Sequence, residues 1–157
     1  MDSRSHLDQT DWKILRELQQ NGRLTNVELA SRVGLSPPPC LRRVQALERS
    51  GIISGYRASL NAAALGFNVS VIAFVGLKSQ AENELRAFET RVVGWPLVRE
   101  AYAVSGEADF LLKLVARDLP ELQNFIIRDL TGAPNVDSVK TTLVLRVSKY
   151  DPGVPLP

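Results

Sequence analysis

The chain has 157 residues, 45% of them hydrophobic and 23% charged, with one cysteine and a formal net charge of +2. This length can bury a core in one domain or two small ones. The composition excludes a disordered polymer, the lone Cys40 an internal disulfide framework, and the lack of any apolar run of bilayer length a membrane-spanning helix. Nine Lys/Arg against six Asp/Glu fall in residues 1–60 and ten against eleven in the remainder, so the positive charge is an N-terminal property. That asymmetry fits a nucleic-acid-binding module joined to a near-neutral domain.

Residues 1–6 (Met-Asp-Ser-Arg-Ser-His) have no apolar signal core, which with the single cysteine makes the cytoplasm the expected compartment; His6 is assigned no role. Asp8 caps a first helix with Ile14, Leu15 and Leu18 inward, Asp11 in its first turn and Asn21-Gly22 as its stop. A second helix starts at Thr25 or Asn26, with Leu29, Ala30 and Val33 inward, and Gly34 permits a sharp reversal before Leu35. Ser36 then caps a short third helix that tolerates Pro37, Pro38 and Pro39 in its first turn and ends at Gly51.

On a wheel centred on Leu41, Cys40, Val44, Leu47 and Glu48 form a packing side, while Pro38, Arg42, Ala46 and Arg49 form an outward side flanked by Arg43 and Gln45. Three such helices make a helix-turn-helix domain whose third helix reads DNA. Arg42, Arg43 and Arg49 are its candidate DNA contacts, with Arg42 and Arg49 central; Ser36 and Gln45 complete the face. Pro38 and Pro39 either touch DNA or, the favoured reading, fix the helix entry angle. Arg23, Thr25 and Asn26 either bind phosphate or merely cap the second helix. Cys40 reads as a packing residue.

Residues 52–60 are β-rich and serve as a connector, which places the boundaries at 1–52, 53–66 and 67–157. Beyond it the pattern alternates: strand Asn68–Leu77, helix Gln80–Val93, strand Val98–Val104, strand Phe110–Ala116, a helix from about Leu119 to Leu130, and a long strand Val136–Val147. The order βαββαβ predicts an α+β, ferredoxin-like arrangement, an antiparallel sheet with both helices on one face. Apolar residues at both parities, as in 71–75 and 111–115, predict a homodimer in which two sheets pack face to face. In the loop 105–109, Gly106 and Asp109 read from composition as hairpin residues; the other reading is that, with Glu107 and the loop amides, they complement the two ends of a zwitterion. No Cys/His metal spacing, glycine-rich phosphate loop or nucleophile–base pair stands out, so neither an enzyme nor a cofactor is expected.

Leu7-Asp8-x-x-Asp11-x-x-Ile14-Leu15, Asn21-Gly22-Arg23, Glu28-Leu29-Ala30, Val33-Gly34-Leu35-Ser36-Pro37, Cys40, Arg43-Val44, Leu47-Glu48, Gly51-Ile52-Ile53 and Gly55-Tyr56 carry a resemblance, continued by Val104-Ser105-Gly106-Glu107-Ala108-Asp109-Phe110. In these residues the chain resembles the leucine-responsive/AsnC (feast/famine) family of prokaryotic transcriptional regulators. The resemblance implies a winged helix-turn-helix that binds double-stranded operator DNA and dimers that assemble further, often to octamers. It also implies small effectors, usually amino acids, bound between subunits near the loop. Carried onto this chain, the effector residues are Gly106, Glu107, Ala108 and Asp109, with Thr141 and Thr142 from the final strand. Ala108 stands where the family often has an aromatic residue, which implies a roomier or differently closed pocket. The expected function is therefore a sequence-specific regulator modulated by a small molecule. Two other readings are an amino-acid-binding or architectural protein without operator specificity, and a regulatory subunit of a metabolic enzyme.

Overall fold

Two capping boxes start the first two helices of the computed structural model, which describes residues 7–157; residues 1–6, His6 among them, lie outside the described residues. Helix α1 (Gln9–Gln20) opens with Asp8 Oδ1 accepting from the Asp11 amide at 2.9 Å, while Asp11 Oδ2 accepts from the Asp8 amide at 3.2 Å. Helix α2 (Asn26–Val33) repeats the device with Thr25 and Glu28, and Gly34 closes it in the left-handed conformation at φ 75°. Each box satisfies two amides that a helix end leaves without internal partners.

Helix α3 (Pro37–Arg49) begins differently. Ser36 occupies the N-cap position, but its side chain makes no cap hydrogen bond, contrary to the capping role expected of it. The reason is covalent: a capping oxygen needs an N–H at the second or third helical residue, and here those residues are Pro38 and Pro39. The first available amide is that of Cys40, 3.3 Å from the Ser36 carbonyl.

The chain folds as two units, one of residues up to Ser59 together with Tyr150–Pro157, the other Leu60–Lys149. In the first, α1, α2 and α3 close over Ile14, Leu29, Ala30, Val33, Cys40 and Leu47. Leu41 departs from the expected packing side, since it is 44% exposed. The expected β connector forms no strand: residues 54–61 have no regular structure, because no second segment of the chain pairs with them. Instead the Ile53 amide turns back to the Leu47 carbonyl at 3.1 Å, and the Tyr56 hydroxyl donates to Glu48 Oε1 at 3.0 Å.

The segment 150–157, which the sequence pattern assigns to the second domain, lies in the first unit. Val154 and Gln19 exchange two hydrogen bonds: the Gln19 side-chain amide donates to the Val154 carbonyl at 2.9 Å, and the Val154 amide donates to Gln19 Oε1 at 3.1 Å. Arg16 donates to the Pro157 carbonyl. An open groove of about 490 Å³, lined by Leu7, Trp12, Leu15, Ile53, Tyr56 and Leu156 among others, runs between the segment and α1.

The second unit is the α+β domain that the alternation predicts. Strands β1 (Val69–Leu77), β2 (Val98–Ala103), β3 (Phe110–Ala116) and β4 (Val136–Leu143) form one antiparallel sheet in the order β2-β3-β1-β4. Helices α4 (Glu82–Val93) and α5 (Leu119–Phe125, extended by a wider π turn over Ile126–Leu130) complete the βαββαβ order. Val71, Ala73, Val75, Phe110, Leu112 and Leu114 face a core shared with Phe88, Val92, Leu122 and Phe125 of the helices. Strand β4 stops at Leu143 rather than Val147, because its partner β1 begins at Val69; one further bond, from the Val144 amide to the Ser70 carbonyl at 2.9 Å, continues the pairing just past the strand's end.

Candidate functional site

Pro38, Leu41, Arg42, Gln45, Ala46 and Arg49 are all exposed on α3 and share one stripe of it. Arg42 and Arg49 stand seven residues apart, about 10 Å along a helix rising 1.5 Å per residue, or roughly three base pairs of duplex. Neither arginine, nor Gln45, has a hydrogen-bond or ion-pair partner among the described residues.

Arg43 is placed otherwise. Its Nη1 lies 2.8 Å from Asp11 Oδ1 and 2.8 Å from Asp8 Oδ2, so it binds α3 to the first turn of α1 instead of facing outward. These bonds, to Asp11 first and Asp8 second, raise the arginine's pKa, and the Asp11 amide together with Arg43 holds the Asp8 carboxyl below the usual range. Of the candidates on α2, Thr25 is committed to its cap, accepting from the Glu28 amide and donating to Glu28 Oε2 at 2.8 Å. Asn26 donates to the Pro37 carbonyl at 2.8 Å and so fastens α2 to the start of α3, leaving its own buried Oδ1 without a partner among the described residues. Arg23 is exposed. Cys40 is fully buried and burial pushes its thiol pKa up, which keeps it protonated and unreactive.

At one end of the sheet the loop between β2 and β3 brings Gly106, Glu107, Ala108 and Asp109 together. Gly106 has φ 141°, a conformation that a side chain would strain, so glycine is required at this tip. Asp109 is the loop's anchor: its carboxylate accepts from the Leu77 amide at 2.7 Å and from Gln80 Nε2 at 2.8 Å, and its own amide donates to the Val75 carbonyl at 2.9 Å. Glu107 is exposed and Ala108 half-buried. Asn135 holds the neighbouring loop, accepting from the Ser79 amide at 3.0 Å and donating to the Ser79 carbonyl at 2.9 Å. Thr141 and Thr142 are not brought to this loop. They lie opposite Ala73 and Ile72 on the far side of β1 from β3, and adjacent strand residues point to opposite faces.

A family model described as winged helix-turn-helix DNA-binding matches residues 7–54, and one described as the Lrp/AsnC ligand binding domain matches residues 70–154. A leucine-responsive regulatory protein of Rhizobium meliloti is 58% identical over 93% of this chain and 94% of its own length. The chain belongs to the Lrp/AsnC family. Among solved structures, a transcriptional regulator of Neisseria meningitidis in complex with L-Met is similar at TM-score 0.90 and 38% identity, covering 95% of this chain and 96% of that one. An AsnC family transcriptional regulator of Agrobacterium tumefaciens is similar at TM-score 0.89 and 32% identity, covering 95% of this chain and 97% of that one.

As an Lrp/AsnC protein, the chain is a DNA-binding transcriptional regulator: its first unit holds the DNA-binding helices and its second the ligand-binding domain. No helix of the described residues is long and apolar enough to cross a membrane. Three features of this Lrp/AsnC chain escaped sequence reasoning. Leu41 faces outward, a result that a wheel centred on the buried Cys40 and Leu47 would have given. Gln80 and Asn135, which brace the effector-domain loops, carry no periodic signal because their partners, the Asp109 carboxylate and the backbone of Ser79, lie far from them in sequence. The positive φ of 65° at Asn135 is a conformation that asparagine tolerates better than most residues, which is the one hint the residue type offers.

Proposed function

We propose that Arg42, Gln45 and Arg49 read base edges and neighbouring phosphates of double-stranded operator DNA, and that an amino acid bound at the Gly106–Asp109 loop modulates that binding. The observation that carries the DNA reading is the division of labour on α3. Arg43 is consumed by Asp8 and Asp11, while Arg42, Gln45 and Arg49 stand exposed on one stripe. Arg and Gln are suited to guanine and adenine edges respectively. Arg23, exposed ahead of α2, supplies a phosphate contact, whereas Thr25 and Asn26 position the two helices.

For the effector, the amides of residues 106–108 complement a carboxylate and the exposed Glu107 an ammonium group. Asp109 positions the loop, one oxygen accepting from the Leu77 amide and the other from Gln80. The L-Met complex of the Neisseria meningitidis relative supports an amino acid as the class. Thr141 and Thr142 lie on β4, across β1 from the loop of their own subunit.

The unit is a homodimer, built further to an octamer, that acts in the cytoplasm without catalysis. Support for the dimer comes from the sheet face away from the helices. By the strand register it carries Ile72, Phe74, Tyr102, Leu111 and Val115, with Phe74 38% and Tyr102 52% exposed. A polar trio sits among them, Glu100 accepting from Lys113 at 2.8 Å and from the Tyr102 hydroxyl at 2.7 Å.

Fluorescence anisotropy on duplexes enriched by the full-length protein, repeated with each of the common amino acids, tests the whole reading. Tight binding that competitor DNA does not remove, shifted several-fold by one or a few amino acids, is the expected result. Identical isotherms and identical sedimentation profiles across the set would sink the effector assignment, and binding erased by non-specific DNA the operator assignment.

A further inference from the structure

We propose that Leu41, with Pro38 beside it, recognises the 5-methyl group of thymine in the major groove. This rests on the DNA-reading role of α3 and adds a chemical group that the helix discriminates.

The first support is position. Leu41 is 44% exposed, in the N-terminal part of α3, the end of a recognition helix that reaches base edges. At about 100° per residue, Pro38 and Gln45 lie between Leu41 and Arg42 on the outward stripe. An apolar side chain therefore sits at the edge of the same surface that carries the polar readers.

The second support is the chemistry of the first turn. Pro37, Pro38 and Pro39 carry no N–H, and the Cys40 amide is turned to the Ser36 carbonyl at 3.3 Å. A helix start of this kind has no backbone donors to hold a phosphate, so beyond the exposed Ser36 hydroxyl what it offers to a groove is carbon: the rings of Pro37 and Pro38 and the Leu41 methyl groups. Polar base edges and phosphates gain nothing from that surface. The one apolar group on the floor of the major groove is the thymine methyl.

The third support is register. Gln45 is suited to an adenine edge, and the base pair that presents adenine N6 and N7 also presents the methyl of its thymine in the same groove. Gln45 and Leu41, four residues apart on a helix, are neighbours one turn from each other, so a single A·T pair or two adjacent pairs can meet both.

The test uses the full-length protein and the duplex that it enriches from a randomised pool. Each thymine of that duplex is replaced singly by uracil, which removes the methyl group and nothing else. For the wild-type chain, binding should weaken about fourfold at one or more positions, the equivalent of about 0.8 kcal/mol for one buried methyl group at 1.4 kcal/mol per tenfold. Leu41→Ala should bind the thymine and uracil duplexes equally while keeping the wild-type thermal midpoint. Leu41→Gln, which keeps the length of the side chain and removes its apolar end, should do the same, and Leu41→Met should retain the preference. The inference fails if no uracil substitution affects the wild type, or if the penalty survives in Leu41→Ala and Leu41→Gln. Failure to enrich any duplex would overturn the DNA reading itself, a result distinct from an enriched duplex that is blind to the methyl group.

Discussion

Arg43 on α3 reaches across the helix junction to Asp11 on α1, Nη1 to Oδ1 at 2.8 Å, and Asp11 is the buried charged residue of this unit at 9% exposure. Removing the arginine leaves that carboxylate without its cation in a place with little water. Arg43→Met should lower the stability of the first unit by about 1–2 kcal/mol, a charged hydrogen bond discounted for the half-exposed arginine. Calorimetry checks the stability. The salt dependence of DNA binding checks the role, since a lost phosphate contact would reduce the slope by about one and a structural ion pair would leave it alone.

Arg42→Ala and Arg49→Ala should behave in the opposite way. Both side chains are exposed without partners among the described residues, so the thermal midpoint should stay put. DNA affinity should fall by about 1–3 kcal/mol with relaxed sequence preference where the arginine meets a base. Where it meets a phosphate, the fall should be uniform across sequences with a shallower salt slope. Anisotropy titrations at several salt concentrations separate the two.

Acid should weaken the first unit at its helix starts. The Asp8 carboxyl is held low by the Asp11 amide and then by Arg43, and that of Glu28 by Thr25. A carboxyl with a lower pKa folded than unfolded stabilises the fold above its unfolded value of about 4. It loses that contribution as pH falls through the lower, folded value. Far-UV circular dichroism should therefore show helix loss beginning below about pH 4, and Asp8→Asn should be less stable at neutral pH but show less further loss in acid. Equal pH dependence in both proteins would contradict the assignment.

Gln19→Ala removes both hydrogen bonds to Val154 at once. Hydrogen exchange at the Val154 amide should accelerate about fivefold, as expected for about 1 kcal/mol of lost latch, while amides of β1 and β3 stay unchanged. Protection that persists at Val154 would mean the groove alone holds the segment.

Asp109→Ala deprives the Leu77 amide and Gln80 of their acceptor. A loss of about 1–3 kcal/mol in the second unit is expected, together with a weaker response to amino acids. Glu107→Gln should weaken that response with no change in stability. A stable Asp109→Ala protein with a normal response would remove Asp109 from its anchoring role.

The sheet domain was legible because its strands obey a period of two: Val71, Ala73, Val75 and Phe110, Leu112, Leu114 all face inward, as their spacing requires. Helix α3 was legible in outline but misread in detail. A wheel centred on Leu41 gives weight to an apolar residue without asking whether it has anything to pack against. Ser36 shows a similar limit, since residue type promises a cap that the following prolines forbid. The pairs Arg43–Asp11 and Gln19–Val154 left no periodic trace, because each depends on residues brought together only by the finished fold. The unpaired linker shows the converse: β-favouring residues do not make a strand where no backbone lies alongside.

The return of residues 150–157 to the first unit makes Leu60–Lys149 an insertion within it. During synthesis α1, α2 and α3 leave the ribosome first, yet Gln19 finds Val154 only after the whole sheet domain has been made. The unit that begins folding earliest is thus completed last, and until then the groove beside Trp12 stands open to whatever apolar chain is near.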